Sequence, residues 1–255
     1  MAKIEPLRIV NNFILRLENL RWIKRTPAFI RDYEKKYPYF SSLEKYHEVI
    51  QEECKALLSI KDEITDMDGL AGPRTKGGIH TIKWKSFMFK SGKFIEDNCA
   101  LCPQTAQLLK GIPRIKQAFF SILDPHQHIR PHKGYYQGFL RYHLGVIIPR
   151  NNVDGDCWIR INDNLEDNLR NDKNTMDKSE TYYWKNGHGI VFNDNYLHEA
   201  ANETDEIRVV LFVDVLRRFP FWMDWLNRLI ITIGYQTNQA KQVAKNAKIV
   251  TSAVS

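Results

Sequence analysis

Seven short segments between residues 81 and 215 constrain the fold more than anything else in the chain: TIKWKSFMF, QAFFSIL, FLRYHLGVII, CWIRIN, TYYWKN, GIVFN and IRVVLFVDV. Each is rich in β-branched or aromatic side chains, which fit a pleated, half-buried surface, and each is bounded by turn residues. No long helical pattern alternates with them. Parallel strands need a crossover helix between them, whereas antiparallel neighbours need only a turn. The chain is therefore expected to be mainly β with flanking helices, its strands forming an antiparallel barrel or sandwich. Six Trp, eleven Tyr and thirteen Phe in 255 residues can fill the core of one such domain.

The flanks read as helices. Residues 1–70 form an N-terminal helical region, with Ile9, Phe13, Leu17 and Leu20 on one face and Leu43, Tyr46, Ile50 and Cys54 in register further on. A Gly- and Pro-rich loop follows at 66–78, then the β-domain at 75–218, then a basic amphipathic tail at 219–255. The polar stretch 163–180 is expected to be an exposed insertion. Cys99 and Cys102 form a C-x-x-C pair, but no second pair exists to complete a zinc site, so reduced thiols in a packed turn are expected. The charged N-terminal stretch lacks a secretory pattern, and no run of about 18 apolar residues spans a membrane, which points to the cytoplasm. A net charge of +7 would suit an anionic surface, yet no nucleic-acid motif accompanies it and no nucleic-acid partner is expected.

Two constellations carry chemistry. In FLRYHLG, Arg141 and His143 lie two apart and share one strand face, while Leu140, Tyr142 and Leu144 take the other. His126, His128 and His132 crowd the segment before it. In the second constellation Arg208 interrupts an otherwise apolar strand, ten residues after His198. A guanidinium there costs several kcal/mol unless paired, and its donor fork matches a carboxylate. That carboxylate could be a protein side chain or a ligand.

The segments NCALCPQTAQLLKGIP, FFSILDPHQHIRPHKG, LRYHLGVIIP, NGHGIVFNDNYLHE and IRVVLFVDVLR resemble, in order and spacing, the aspartyl/asparaginyl β-hydroxylase family of iron(II)- and 2-oxoglutarate-dependent dioxygenases, from about Trp84 to Arg218. The resemblance implies a double-stranded β-helix (jelly-roll, cupin-like) core with iron between its sheets. It implies His132 and His198 as metal ligands, Arg208 on the distal carboxylate of 2-oxoglutarate, and Ser121, Arg141 and His143 completing the cofactor pocket. Dioxygen would be the co-substrate and ascorbate a supporting reductant. Many such oxygenases add a carboxylate two residues after the first histidine. Here that position is Gly134, as in the family resembled, and Asp194 or Glu199 is left as a candidate helper.

The family name suggests Asp or Asn side chains of a peptide or protein as substrate. A bacterial branch hydroxylates lipid A acyl chains, and the aromatic, Arg-rich tail would suit an anionic membrane, with the enzyme peripheral on the inner face. The alternative of another class is an inactive β-helix module that binds a metal or an anion.

Overall fold

A computed structural model describes residues 5–67, 70 and 82–248; most of the loop expected at 66–78 lies outside them. Two antiparallel sheets face each other. The larger runs β2 (Lys93–Phe94), β1 (Trp84–Ser91), β3 (Ile115–Leu123), β10 (Arg208–Leu216), β5 (Phe139–Ile147), β8 (Gly189–Phe192). The smaller runs β4 (Gln127–His132), β9 (His198–Asn202), β6 (Cys157–Ile161), β7 (Glu180–Tyr183). From β3 onward the chain alternates between the sheets, apart from the β6–β7 pair, and the fold is a double-stranded β-helix.

Side-chain alternation divides the larger sheet into two faces. Phe120, Ile122, Leu140, Tyr142, Leu211 and Val213 point outward into a cluster completed by helical residues such as Phe40, Leu43, Ile50 and Cys54. These come from α2 (Tyr33–Lys36), α3 (Phe40–Lys45) and α4 (His47–Leu57), while α5 (Glu96–Leu101) and α6 (Pro103–Lys110) add Cys99, Cys102 and Leu109. All four cysteines are free and buried, and burial pushes the Cys102 thiol up to about 12, so the C-x-x-C pair is packing material. The opposite face carries Leu123, Val210, Ile190 and Phe192 against Ile129, Ile159, Ile161 and Ala200 of the smaller sheet, with Trp184.

The helical segments have no cores of their own. Ile14 and Leu17 of α1 (Glu5–Asn19) share one cluster with Tyr136, Phe139 and Leu216 of the β-core and with Met223 and Ile231 of α8 (Phe221–Gln236). A buried ion pair from Arg217 to Glu18, 2.6 Å long, locks α1 against the end of β10. The face expected to be buried is thus only partly so. Leu17 is inside, but Ile9, Phe13 and Leu20 are exposed because a second apolar row, Val10–Ile14–Leu17, competes for the same helix and wins. A last helix, α9 (Asn238–Asn246), leads to Ala247, which packs near Met88, Phe119 and Phe212.

The 163–180 insertion is not merely exposed. It forms α7 (Leu165–Arg170), capped by Asn164, and a 3-10 turn at Lys173–Lys178. Asn168 is buried, and its amide donates to the Asn162 and Asn164 carbonyls at 2.7 Å each. Short polar side chains can satisfy neighbouring backbone groups, so a segment that looks solvated can pack.

Candidate active site

His132 and His198 are opposite residues of the β4–β9 ladder. A β-bulge puts them there. Ile129 pairs with Ala200 and His132 with His198, so β4 advances three residues while β9 advances two. In a regular strand Ile129 and His132 would face opposite ways; the extra residue, beside Pro131, turns both inward. The imidazole centroids are 4.2 Å apart. The Nδ1 of His132 bonds the Arg130 carbonyl and the Nδ1 of His198 the Tyr196 carbonyl, each at 2.9 Å. A carbonyl only accepts, so each ring carries its proton on Nδ1 and leaves Nε2 as a lone-pair donor, the tautomer a metal needs.

Burial, and then the neighbouring His198, hold His132 well below the ordinary imidazole range. Burial and then Arg141 bring His198 down to about 4. Both rings are therefore neutral at physiological pH. A histidine kept neutral in the fold binds fewer protons than the same residue in the unfolded chain once pH falls below 6.5, so stability declines on acidification and the loss is complete near pH 4. That window corresponds to about 3 kcal/mol for His198. Metal-free protein unfolded by denaturant should show it: the stability advantage over His198→Gln shrinks by about that amount between neutral pH and pH ~4. A difference independent of pH would contradict the buried neutral ring.

From the histidine pair the interior continues through packed rings. Phe192 lies 5.7 Å from His198 and 5.0 Å from His143; Trp184 stacks on His143 at 5.5 Å; the Arg208 guanidinium is 6.0 Å from the Trp184 ring. Both nitrogens of His143, the indole nitrogen of Trp184 and Nε of Arg208 are buried without a hydrogen-bond partner. Arg208 is 2% exposed, and burial lowers it to about 10. Among the described residues no carboxylate pairs with it. Buried unsatisfied donors are rare and costly. His143 is kept neutral by burial, so one of its nitrogens is a donor and the other a lone pair; with Trp184 and Arg208 the interior holds three unpaired donors, a set that an anion would satisfy. The Trp184 donor was not foreseen from the sequence.

The other expected residues divide. Ser121, opposite Val210 on β3, accepts the Trp84 indole N–H at 2.9 Å and keeps its own hydroxyl proton to donate. Arg141 faces inward with His143 as expected, but protein carboxylates engage it: Nε donates to Asp214 at 3.0 Å, and Asp194 lies 3.0 Å away on the other side. Arg141 and Asp214 are opposite residues of β5 and β10. Burial raises Asp214 to about 6. The sequence reading missed that Arg141 spends its fork on two aspartates.

Of the two candidate helpers, Glu199 sits on the outer face of β9, bonded to His128 at 2.7 Å. Asp194 points inward. A Cβ at Gly134 would come within 2.1 Å of its carboxylate, so Asp194 fills the volume that a side chain at 134 would use. Among the described residues no third His, Cys, Asp or Glu joins His132 and His198 in a metal-holding group. His126 is peripheral, paired with Asp205 at the surface.

The insertion braces this centre. The Asn168 side-chain oxygen accepts the Leu197 N–H at 2.6 Å, Asn162 N–H donates to the Leu197 carbonyl at 2.9 Å, and Lys133 reaches the Asn168 carbonyl. Each contact holds a residue adjacent to His198 or His132.

The family profile described as aspartyl/asparaginyl beta-hydroxylase matches residues 44–218, more than half of the chain. The chain belongs to this family. Among relatives of this hydroxylase, an ornithine lipid ester-linked acyl 2-hydroxylase of Rhizobium tropici is 30% identical over 213 residues, 83% of this chain and 69% of that protein. The human aspartyl/asparaginyl beta-hydroxylase is 28% identical over 180 residues, 68% of this chain but only 20% of that protein. The hydroxylase described here therefore spans about a fifth of the human relative and two thirds of the bacterial one.

Proposed function

We propose that the chain is an iron(II)- and 2-oxoglutarate-dependent dioxygenase in which His132 and His198 hold the metal and Arg208 grips the distal carboxylate of 2-oxoglutarate. The observation that carries this reading is Arg208: a buried guanidinium without a carboxylate partner among the described residues, sharing an interior with two imidazoles in the metal-binding tautomer. The donor set fits the group. Two neutral nitrogens suit ferrous iron, and a chelating oxoacid supplies the ligands that Gly134 does not. Bound iron and 2-oxoglutarate supply dioxygen reduction coupled to loss of carbon dioxide, leaving succinate and a hydroxylated C–H carbon.

The protein's part is positioning. Ser121, His143 and Trp184 offer polar hydrogens or lone pairs to the cofactor beside Arg208. Arg141 holds the Asp194 carboxylate over Gly134, in the volume a side chain at 134 would fill, where it would stand as the candidate helper at the metal side. Phe192 and Phe212 pack on His143 and make its surroundings apolar.

Two substrate classes stand. Asp or Asn side chains of a peptide follow the family name and the human relative; a lipid acyl chain follows the bacterial relative, which is matched over more of both chains. The lipid reading implies a cytoplasmic enzyme working at the inner face of a membrane. Among the described residues no helix is long and apolar enough to cross one. With iron(II), ascorbate and 2-oxoglutarate, the purified chain is expected to release succinate, measured by proton NMR. One arm adds Asp- and Asn-containing peptides and another a dispersed polar-lipid extract, each followed by mass spectrometry for a gain of one oxygen. Succinate in neither arm leaves the inactive binding module as the reading.

A further inference from the structure

The exposed side of α8 has an unusual surface for a helix in contact with water. Phe221, Trp225, Leu229 and Ile233 recur every four residues, a single stripe, with Trp222 beside it. Phe221 is 91% exposed and Trp225 63%. The opposite side of the same helix, Met223, Asn227 and Ile231, is buried. On α1, Ile9 and Phe13 are exposed in the same manner, as is Leu20 in the turn that follows, where Trp22 is 70% exposed. Both helices bury their other sides in one cluster, so the two stripes flank the same part of the molecule. Single exposed apolar residues are ordinary, but contiguous aromatic stripes mark a contact surface.

Charge identifies the contact. Arg16, Arg21 and Lys24 border the α1 stripe, and Arg218 and Arg228 border that of α8. Two acids of the same segments are neutralised within the protein: Glu18 is buried against Arg217, and Asp224 pairs with Arg114 and Arg228. Trp and Phe interleaved with unbalanced arginines match a bilayer interface bearing anionic headgroups. A second copy of the chain would set these basic borders against each other.

The surface is joined to the loop that follows His132. The loop between β4 and β5 starts one residue after His132 and is clasped by both helices. Asn11 of α1 donates to the Tyr135 carbonyl at 2.9 Å and accepts from Gln137 N–H at 3.0 Å. Asn227 of α8 donates to the Gly138 carbonyl at 3.1 Å and accepts from the Tyr136 hydroxyl at 2.8 Å. Tyr135, in the middle of that loop, is itself 63% exposed.

We infer that α1 and α8 together form a docking face for an anionic lipid bilayer, which sets the loop after His132 beside the membrane and selects a membrane-lipid acyl chain as substrate. The choice of substrate rests on the hydroxylase reading; the docking itself does not. The full-length protein is to be sedimented with vesicles of phosphatidylcholine alone and of equimolar phosphatidylcholine and phosphatidylglycerol. Binding to the anionic vesicles is expected, with a blue shift of tryptophan emission. Phe221→Ser/Trp225→Ser should weaken it by about tenfold or more, and Phe13→Ser/Trp22→Ser to a lesser extent. Unchanged far-ultraviolet circular dichroism and melting temperature show that the variants fold. Arg208→Ala, which removes the cofactor anchor, should bind vesicles like the parent, so loss of catalysis and loss of docking are read separately. Failure of the parent to bind anionic vesicles, or equal binding by the folded variants, overturns the inference. So does self-association of the parent that the same substitutions abolish, which would assign the face to a second copy.

Discussion

Arg208→Ala is expected to raise the 2-oxoglutarate concentration needed for binding by at least about thirtyfold, since truncating one partner of a buried charge pair costs roughly 2–5 kcal/mol. The same change should leave the ligand-free protein as stable as the parent or more so. Arg208 is lowered to about 10 by burial and, among the described residues, has no carboxylate to repay that cost. Calorimetric titration of 2-oxoglutarate, in parallel with thermal melts without ligand, separates the two effects. Weak binding with an unchanged or raised melting temperature fits an anchor. A large loss of ligand-free stability would make Arg208 a structural residue, and an unaltered affinity would move the anchor elsewhere.

His132→Ala carries the second large effect. Disturbing a group that merely orients a metal ligand costs about 10–100-fold in affinity, and removing one of two protein ligands should exceed that range. His132 pairs across the ladder with His198 and is half-buried beside it, so its loss opens space rather than collapsing the core. Ferrous or manganous ion titrated against a chromophoric chelator gives the affinity directly. Retention of parental affinity by a folded His132→Ala protein would remove the metal centre from this place.

Sequence periodicity captured most of the scaffold. The apolar runs correspond to β1, β3, β5, β6, β7, β8 and β10, each within three residues of its observed span. The strands it passed over are the ones that bear the metal-ligand candidates. Gln127–His132 and His198–Asn202 read QHIRPH and HEAAN, with neither β-branched alternation nor a clean apolar face. Their residues answer to a site rather than to a core, and local preference and global fold part company in such places. Arg208 was legible because a guanidinium in an apolar strand is conspicuous. Trp184 was not, since an aromatic residue in a strand-like run announces packing and its partnerless N–H becomes visible only when the neighbours are placed. Asn168 lay hidden for the opposite reason, a buried brace inside a segment whose composition suggests water.

Arg141, clamped between Asp194 and Asp214, gives the interior an electrical polarity. One cation between two anions leaves that end a net electron-rich region when both acids are ionised, while Arg208 makes the far end positive. A dianion approaching before the metal would be drawn to one pole and repelled at the other. A divalent ion held by His132 and His198, as proposed, would offset the repelling pole, and both carboxylates would then find attraction. The field would thus favour loading the metal first, a preference expected to fade as pH falls through about 6 and Asp214 takes up its proton.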